Sequence, residues 1–243
     1  MKKENKHIIV FSAHPDDHLI CAGTLMYFIE RGYTVHEVVA TGGEKGAWWN
    51  EDGEKKQNSD EAGLKVKRTE EIKKAQEIIG ISNFTCLGLP DGDVQKSIAT
   101  VEDIVGIVRK ERPSIVIVHN PVDYHSDHRV FSDIATEGVH QAAWTHLPER
   151  GEQYKTPLLM YMEGFYMRKA DMVFDITKFI DKKKELLEVY DSQLYPAEKR
   201  LIRSVNEYRG FFMRDDKSIE AEAFEIPENY YPNFNRILET FAS

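Results

Sequence analysis

The distribution of apolar residues predicts alternating strands and helices at the start of the chain. Residues 7–11 are almost entirely apolar, as in a buried strand, and residues 19–31 carry apolar positions at helical spacing before Gly32. Residues 34–40 are rich in β-branched side chains and predict a second strand. A strand, a helix and a strand within about 35 residues form a βαβ unit, so we expect a parallel sheet.

The same alternation continues toward the middle of the chain. The pattern predicts helices at residues 64–79 and 101–111 and strands at residues 84–87 and 115–118. Residues 41–63 are polar and dotted with glycine, and they are too many for an ordinary connection. We expect them to form a functional loop.

The order of elements is harder to recognise after residue 150. The pattern predicts short strands at residues 158–162, 164–166 and 172–175, and a charged helix at residues 178–191. The last thirty residues mix aromatics with prolines and acids, and either a pocket or a neighbouring subunit in a homo-oligomer would suit them. We expect a single domain over residues 1–243, with the part from about residue 151 completing the pocket.

Composition and charge exclude several classes of protein. The formal net charge of -9 at pH 7 argues against a nucleic-acid partner, because such proteins carry a basic face. The first apolar run is about four residues long, shorter than the core of a signal peptide, and no apolar segment is long enough to cross a bilayer. The sequence therefore predicts a cytoplasmic protein without membrane insertion.

The two cysteines indicate neither a disulfide framework nor a thiolate metal site. Cys21 and Cys86 each lie within an apolar segment, and their spacing matches no ligand motif. We expect both to be buried free thiols.

Two short segments, each directly after an apolar strand, contain most of the candidate chemistry. Residues 13–18 read Ala-His-Pro-Asp-Asp-His, and residues 119–128 read His-Asn-Pro-Val-Asp-Tyr-His-Ser-Asp-His. Adjacent carboxylates at a strand end repel each other unless a positive group lies beside them. Because the functional crevice of such sheets lies outside the carboxyl ends of the strands, we expect both segments to meet in one crevice.

Spacing within the two segments favours a metal site. His14 and Asp17 are three residues apart and can converge if a helical turn starts at Pro15, whereas Asp16 points roughly 100° around that turn. Taken alone, a pair of aspartates at a helix start is more often a cap.

The second segment repeats this spacing in His125 and His128, with Asp127 between them. Two histidines and one aspartate, with water as the fourth ligand, are what catalytic zinc requires. A lone buried histidine is more often a hydrogen-bonded core residue, but both segments together favour the metal site.

These motifs resemble the signature of the LmbE-like, or PIG-L, zinc N-deacetylases. The resemblance runs in the same order from residue 7 to residue 224 and rests on residues 13–17 with 23–25, 41–46, 68 with 71, 89–92, 125–128, 175–177, 192–193, and 221, 222 and 224. It implies a Rossmann-like α/β fold, a mainly parallel sheet flanked by helices. It also implies that His14, Asp17 and His128 hold one zinc ion, although another divalent ion could replace it.

The resemblance further implies the roles of the remaining site residues. Asp16 would be the general base, and a charged His125 would meet the developing oxyanion, with Asp127 orienting His125. These roles agree with zinc chemistry, in which the ion lowers the pKa of its water to about 7 and polarises the amide carbonyl.

Several residues keep alternative interpretations. Arg68 would contact substrate, with Glu71 as its orienting partner, or the two would form an ordinary ion pair on a helix. Trp48 and Trp49 suit either sugar stacking or a subunit interface.

The chain departs from the family pattern at two positions, with His18 in place of Glu and Ser126 in place of Pro. His18 would bind a second ion, shift the pKa of Asp16, or simply pack at the helix start, which is the commonest outcome.

The expected reaction is removal of an N-acetyl group from an N-acetylglucosamine-type sugar or conjugate, a small-molecule substrate. One alternative is an amidase of the same mechanism that acts on another amide, such as a thiol-sugar conjugate. A second is a binding protein that kept the metal and lost turnover, but Asp16 favours an enzyme. A nucleotide-binding protein is disfavoured, because the first βα turn lacks the glycines that approach phosphate.

Overall fold

The computed structural model describes residues 6–46, 61–213, 217, 219–233, 235 and 237, so Trp48, Trp49 and most of the expected functional loop lie outside the described residues. The strands are β1 (His7–Ser12), β2 (Thr34–Val39), β3 (Asn83–Cys86), β4 (Ile115–His119), β5 (Leu158–Met162), β6 (Met172–Asp175) and β7 (Ala221–Glu225). The helices are α1 (Ala22–Ile29), α2 (Glu61–Ile79), α3 (Ile98–Glu111), α4 (Ser126–Ala142), α5 (Ile180–Val189) and α6 (Pro196–Met213).

The strands form one sheet in the order β3-β2-β1-β4-β5-β7-β6. The first five strands in this order are parallel, and β7 pairs antiparallel with both β5 and β6. This arrangement confirms the predicted α/β fold with a mainly parallel sheet. Because the chain proceeds from β1 to β2 on one side and later returns to β4 on the other, the loops after β1 and β4 border the crevice between them.

Alternating side chains of the central strands build a separate core on each face of the sheet. Ile8 and Val10 face the layer of α1, α2 and α5, whereas Ile9 and Phe11 face the layer of α3 and α4. All four side chains are fully buried, as expected for a parallel sheet covered on both faces. Among the described helices, none is long and apolar enough to span a membrane.

Three expectations about local structure are wrong. Residues 164–166 form no strand, and Gly164 instead lies close against the Asp123 carboxylate. The helix expected from residue 19 begins at Ala22, after a separate 3₁₀ turn over Asp17–Ile20. Cys21 is buried, but Cys86 is exposed because it lies on the edge strand β3.

The N-terminus of α1 is held by a buried carboxylate on β7. Glu222 accepts hydrogen bonds from the backbone N–H groups of Gly23 (2.9 Å) and Thr24 (2.7 Å), and it forms an ion pair with Lys183 on α5. The Glu222 and Lys183 side chains are 2% and 3% exposed. Glu222 therefore joins the C-terminal strand to the helix that follows the first candidate segment.

We expect Glu222→Ala to lower the free energy of unfolding by about 3–5 kcal/mol, because it leaves the Lys183 ammonium buried without its counter-ion. Urea denaturation measures the change. The matched control is Glu188→Ala, which removes the exposed partner of Lys199 and should cost about 0–1 kcal/mol. Equal losses in the two variants would contradict this account.

Candidate active site

The first candidate segment forms a tight turn at the carboxyl end of β1. The Asp17 carboxylate accepts a hydrogen bond from the His14 backbone N–H (2.6 Å), and the Asp17 N–H donates to the His14 carbonyl (3.3 Å). This closure brings the His14 and Asp17 side chains together, as their spacing predicts. The second segment meets them from the end of β4 and the start of α4, across the expected crevice.

The three predicted ligands place their potential metal-binding atoms close together. His14 Nδ1 lies 3.2 Å from His128 Nε2 and 3.6 Å from Asp17 Oδ2, and His128 Nε2 lies 3.2 Å from Asp17 Oδ1. Tetrahedral zinc with bonds of about 2.0–2.2 Å separates its ligand atoms by about 3.3 Å. The donor types and their separations therefore fit a zinc ion.

Each histidine of this group turns its second ring nitrogen toward a carboxylate. His14 Nε2 lies 3.2 Å from Asp91 Oδ1 and 3.2 Å from Asp127 Oδ2. His128 Nδ1 lies 3.2 Å from Asp123 Oδ2. Carboxylates in this position fix the ring orientation and tautomer of metal-binding histidines.

Asp91, His119 and Asp123 belong to the site, but sequence reasoning assigned them no role. His119 is fully buried at the end of β4, and its Nε2 lies 2.9 Å from Asp17 Oδ2. A signal for Asp123 was available, because a ligating histidine requires an outer partner and an aspartate precedes His128 by five positions. Asp91 carries no such local signal, since it reaches His14 from a distant turn.

The described residues also contain overlapping groups of potential metal-binding atoms within 4.8 Å of one another: His14 with His125 and His128, Asp17 with His119 and His128, and His14 with Asp91 and Asp127. The first group shares His128 with the second and His14 with the third. The crevice is thus rich in donors suited to a transition metal such as zinc.

The carboxylates favour a positive charge at this point. Burial by itself would lower the pKa of His14, but hydrogen bonds with Asp17 and Asp91 raise it to about 11. Burial would raise the pKa of Asp17, but His128 and His119 hold it well below its usual range. Asp17 is therefore ionised, and a bound cation would compensate its charge.

Asp16 has the properties of a proton acceptor. Its side chain lines the same cavity as His14 and Asp17. Burial and the neighbouring Asp17 carboxylate raise its pKa, against the opposing influence of His14 and Arg68. A raised pKa brings a carboxylate closer to the range in which it can both take up and release a proton.

His125 occupies the N-cap of α4 and differs from the expected charged form. Its Nδ1 accepts a hydrogen bond from the Asp127 backbone N–H (3.2 Å), so in the neutral ring the proton is on Nε2. Burial and the neighbouring rings of His128 and His14 lower its pKa. A neutral ring with Nε2–H as donor is therefore favoured.

The expected orienting contact between the Asp127 carboxylate and the His125 ring is not formed. The Asp127 carboxylate instead accepts hydrogen bonds from the backbone N–H groups of Gly92 (2.7 Å) and Val94 (3.3 Å). Since Asp127 lies in the first turn of α4, its side chain faces the loop around residue 92 and the His14 ring. Asp127 therefore supports His14, and only its backbone N–H contacts His125.

The site opens into a cavity of about 450 Å³. Its lining includes residues of both candidate segments and Arg68 on α2. The apolar side chains of the lining, here called the apolar wall, include Ile20, Phe165, Leu194 and Ile202. The cavity is large enough for one sugar ring with an attached group.

Arg68 is buried against the glycine-rich loop after β2. A Cβ at Gly46 would lie 1.7 Å from Arg68 Nη2, and one at Gly43 would lie 2.5 Å from Nη1, so only glycine leaves room for the guanidinium. The Glu71 carboxylate accepts from the Ser192 backbone N–H (3.0 Å), whereas among the described residues the buried Arg68 Nε has no hydrogen-bond partner. Arg68 and Glu71 therefore do not form an ordinary ion pair on the surface of a helix.

Fold and site together define an α/β protein with a histidine–aspartate cluster suited to a metal ion at the carboxyl edge of its sheet. The profile of the family described as "PIG-L: GlcNAc-PI de-N-acetylase" matches residues 9–139, more than half of the chain. The chain belongs to the PIG-L family, and the resemblance read from its motifs is confirmed.

Individual relatives span most of the chain. It is 28% identical over 195 residues to diacetylchitobiose deacetylase of Thermococcus kodakarensis, covering 77% of this chain and 70% of the relative. It is 26% identical over 235 residues to the probable N-acetyl-alpha-D-glucosaminyl L-malate deacetylase 2 of Bacillus anthracis, covering 92% and 96%. The solved 4-carboxy-2-hydroxymuconate hydratase of Pseudomonas putida KT2440 shares the fold, with a TM-score of 0.79, 23% identity and coverage of 93% and 99%.

We expect Asp123→Asn to weaken zinc binding by about 10–100-fold, because the amide no longer supplies the negative charge that orients His128 and raises its basicity. Competition with a chromophoric chelator measures the dissociation constant. Asp133→Asn is the control, because Asp133 lies on the exposed side of α4 and pairs with Lys96. An unchanged zinc affinity in Asp123→Asn would contradict the arrangement.

Proposed function

We propose that the protein is a zinc-dependent N-deacetylase that converts an N-acetylglucosamine-type sugar or conjugate into the free amine and acetate. The observation that carries this proposal is the convergence of His14 Nδ1, His128 Nε2 and the two oxygens of the Asp17 carboxylate beside Asp16 in one cavity. Membership of the PIG-L family and the two deacetylase relatives support it.

In this proposal His14, Asp17 and His128 hold the ion, which when bound polarises the amide carbonyl and lowers the pKa of water. Asp16 accepts the proton of the attacking water and returns it to the nitrogen of the leaving amine. His125 donates its Nε2–H to the carbonyl oxygen as that oxygen gains negative charge.

The lining of the cavity, with both polar and apolar side chains, supports a polar substrate that carries a less polar group. Arg68 lines the cavity near Asp16, and its guanidinium charge suits a sugar hydroxyl or an acidic oxygen. The apolar wall suits the face of a sugar or the group attached to it. An amidase that acts on a different amide is the second candidate, because the apolar wall also accommodates a larger attached group.

We expect acetate and amine to be released from N-acetylglucosamine, diacetylchitobiose or a glycoside of N-acetylglucosamine by the zinc-loaded protein. Asp16→Asn should lower kcat by about 10²–10⁴-fold with unchanged zinc content, because the amide cannot accept the proton. Asp103→Asn, on the exposed face of α3, should retain wild-type activity.

The outcomes separate the candidate functions. Full activity of Asp16→Asn would refute the mechanism. Hydrolysis of other amides, with no acetate released from any N-acetyl sugar, would support the second candidate. If the protein adds water to an unsaturated acid and cleaves no amide, its activity would be that of a hydratase, like the solved protein whose fold it shares.

Gly46→Ala tests the placement of Arg68. The added Cβ would displace the guanidinium, so we expect KM for the substrate to rise by about 10-fold or more, corresponding to the loss of one charge-assisted hydrogen bond. Gly106→Ala is the control. Gly106 lies on α3, and a Cβ there would make an ordinary contact of 3.8 Å with the Arg150 side chain. An unchanged KM in Gly46→Ala would argue against contact between Arg68 and substrate.

A further inference from the structure

His18 is the titratable residue of the first segment that the proposed reaction does not use. It follows Asp17 in the 3₁₀ turn and is fully buried. Its Nδ1 lies 2.7 Å from Oε1 of Glu37, a fully buried carboxylate in the middle of β2. A carboxyl group of the neighbouring strand thus faces the His18 ring.

The opposite side of the His18 ring meets Tyr190 at the end of α5. The fully buried Tyr190 hydroxyl donates to the Pro15 carbonyl (3.0 Å) and lies 3.0 Å from His18 Nε2. A tyrosine hydroxyl has a single proton, and a carbonyl can only accept. His18 Nε2 must therefore donate its proton to the hydroxyl oxygen. A chain of buried hydrogen bonds thus runs from Glu37 through His18 and Tyr190 to the Pro15 carbonyl.

We propose that His18, Glu37 and Tyr190 form a positioning triad that fixes the Pro15 carbonyl and thereby the turn that carries the metal-binding and proton-accepting side chains. Pro15 lies between His14 and Asp16, so the orientation of its peptide group sets where both side chains point. The triad members lie on β2, on the 3₁₀ turn and directly after α5, which anchors the turn to separate parts of the core. Functional groups must be held within about 0.5 Å of their working geometry, which such an outer support provides.

This proposal shares one assumption with the proposed function, namely that the turn binds zinc. Zinc affinity is therefore the main measurement. Tyr190→Phe removes one hydroxyl and keeps the ring. We expect the zinc dissociation constant, measured by chelator competition, to rise about 10–100-fold, and kcat to fall with little change in KM.

The matched control is Tyr154→Phe. Tyr154 is also buried, and its hydroxyl also donates to a proline carbonyl, that of Pro113 at 2.8 Å, but it lies at the opposite edge of the sheet. Tyr154→Phe loses one buried hydrogen bond and Tyr190→Phe loses two, so both should lower the temperature of thermal unfolding, Tyr190→Phe by more. Only Tyr190→Phe should change zinc affinity.

A second pair of variants tests the other end of the triad. Glu37→Gln keeps a hydrogen-bonding group opposite His18 Nδ1, so it should retain zinc affinity within about threefold of wild type. Glu37→Leu has a similar size without that bond and should weaken zinc binding as Tyr190→Phe does.

Equal zinc affinities in Tyr190→Phe and Tyr154→Phe would overturn the proposal, as would a wild-type protein that binds no zinc. Zinc binding that follows the expected order, with no amide hydrolysed, would uphold the triad while the proposed function fails.

Discussion

Negative charge concentrated around His14 is the constraint on which the site depends. The carboxylates of Asp17, Asp91 and Asp127 all approach this one ring, within 3.6, 3.2 and 3.2 Å. Burying carboxylates so close together is unfavourable unless a cation lies among them. The raised pKa of His14 and the lowered pKa of Asp17 are consequences of the same crowding. A bound divalent ion would also compensate the negative charge of these carboxylates.

Sheet topology is what brings these groups together. The chain leaves β1 and β4 at neighbouring points of the same edge, which lets residues more than 100 positions apart meet across the crevice. The C-terminal strand β7 supports the arrangement from behind, since Glu222 caps α1 just after the first segment. The site therefore draws on both ends of the chain.

Several residues around the crevice take no direct part in the proposed reaction but hold other side chains of the site in place. Asp123 orients His128, and the glycines at 43 and 46 leave room for the Arg68 guanidinium. On the other side of the first turn, buried hydrogen bonds through His18 and Tyr190 reach the Pro15 carbonyl. Such contacts restrict side chains that would otherwise be free to rotate, and a preorganised site of the proposed kind requires this restriction.

The amino-acid sequence by itself determined the alternating elements of the parallel sheet and the two segments that carry the candidate chemistry. These features are local, because a buried strand needs consecutive apolar residues and a turn can bring together side chains three positions apart. Only the tertiary structure decided that Asp127 supports His14 and not His125, that Asp91 and His119 join the site, and that Glu37 pairs with His18. Each of these contacts spans many residues and depends on strand order and side-chain direction, which no local spacing encodes. The same physical reason accounts for β7, whose acidic residues suggest no buried strand until Lys183 and the N-terminus of α1 surround Glu222.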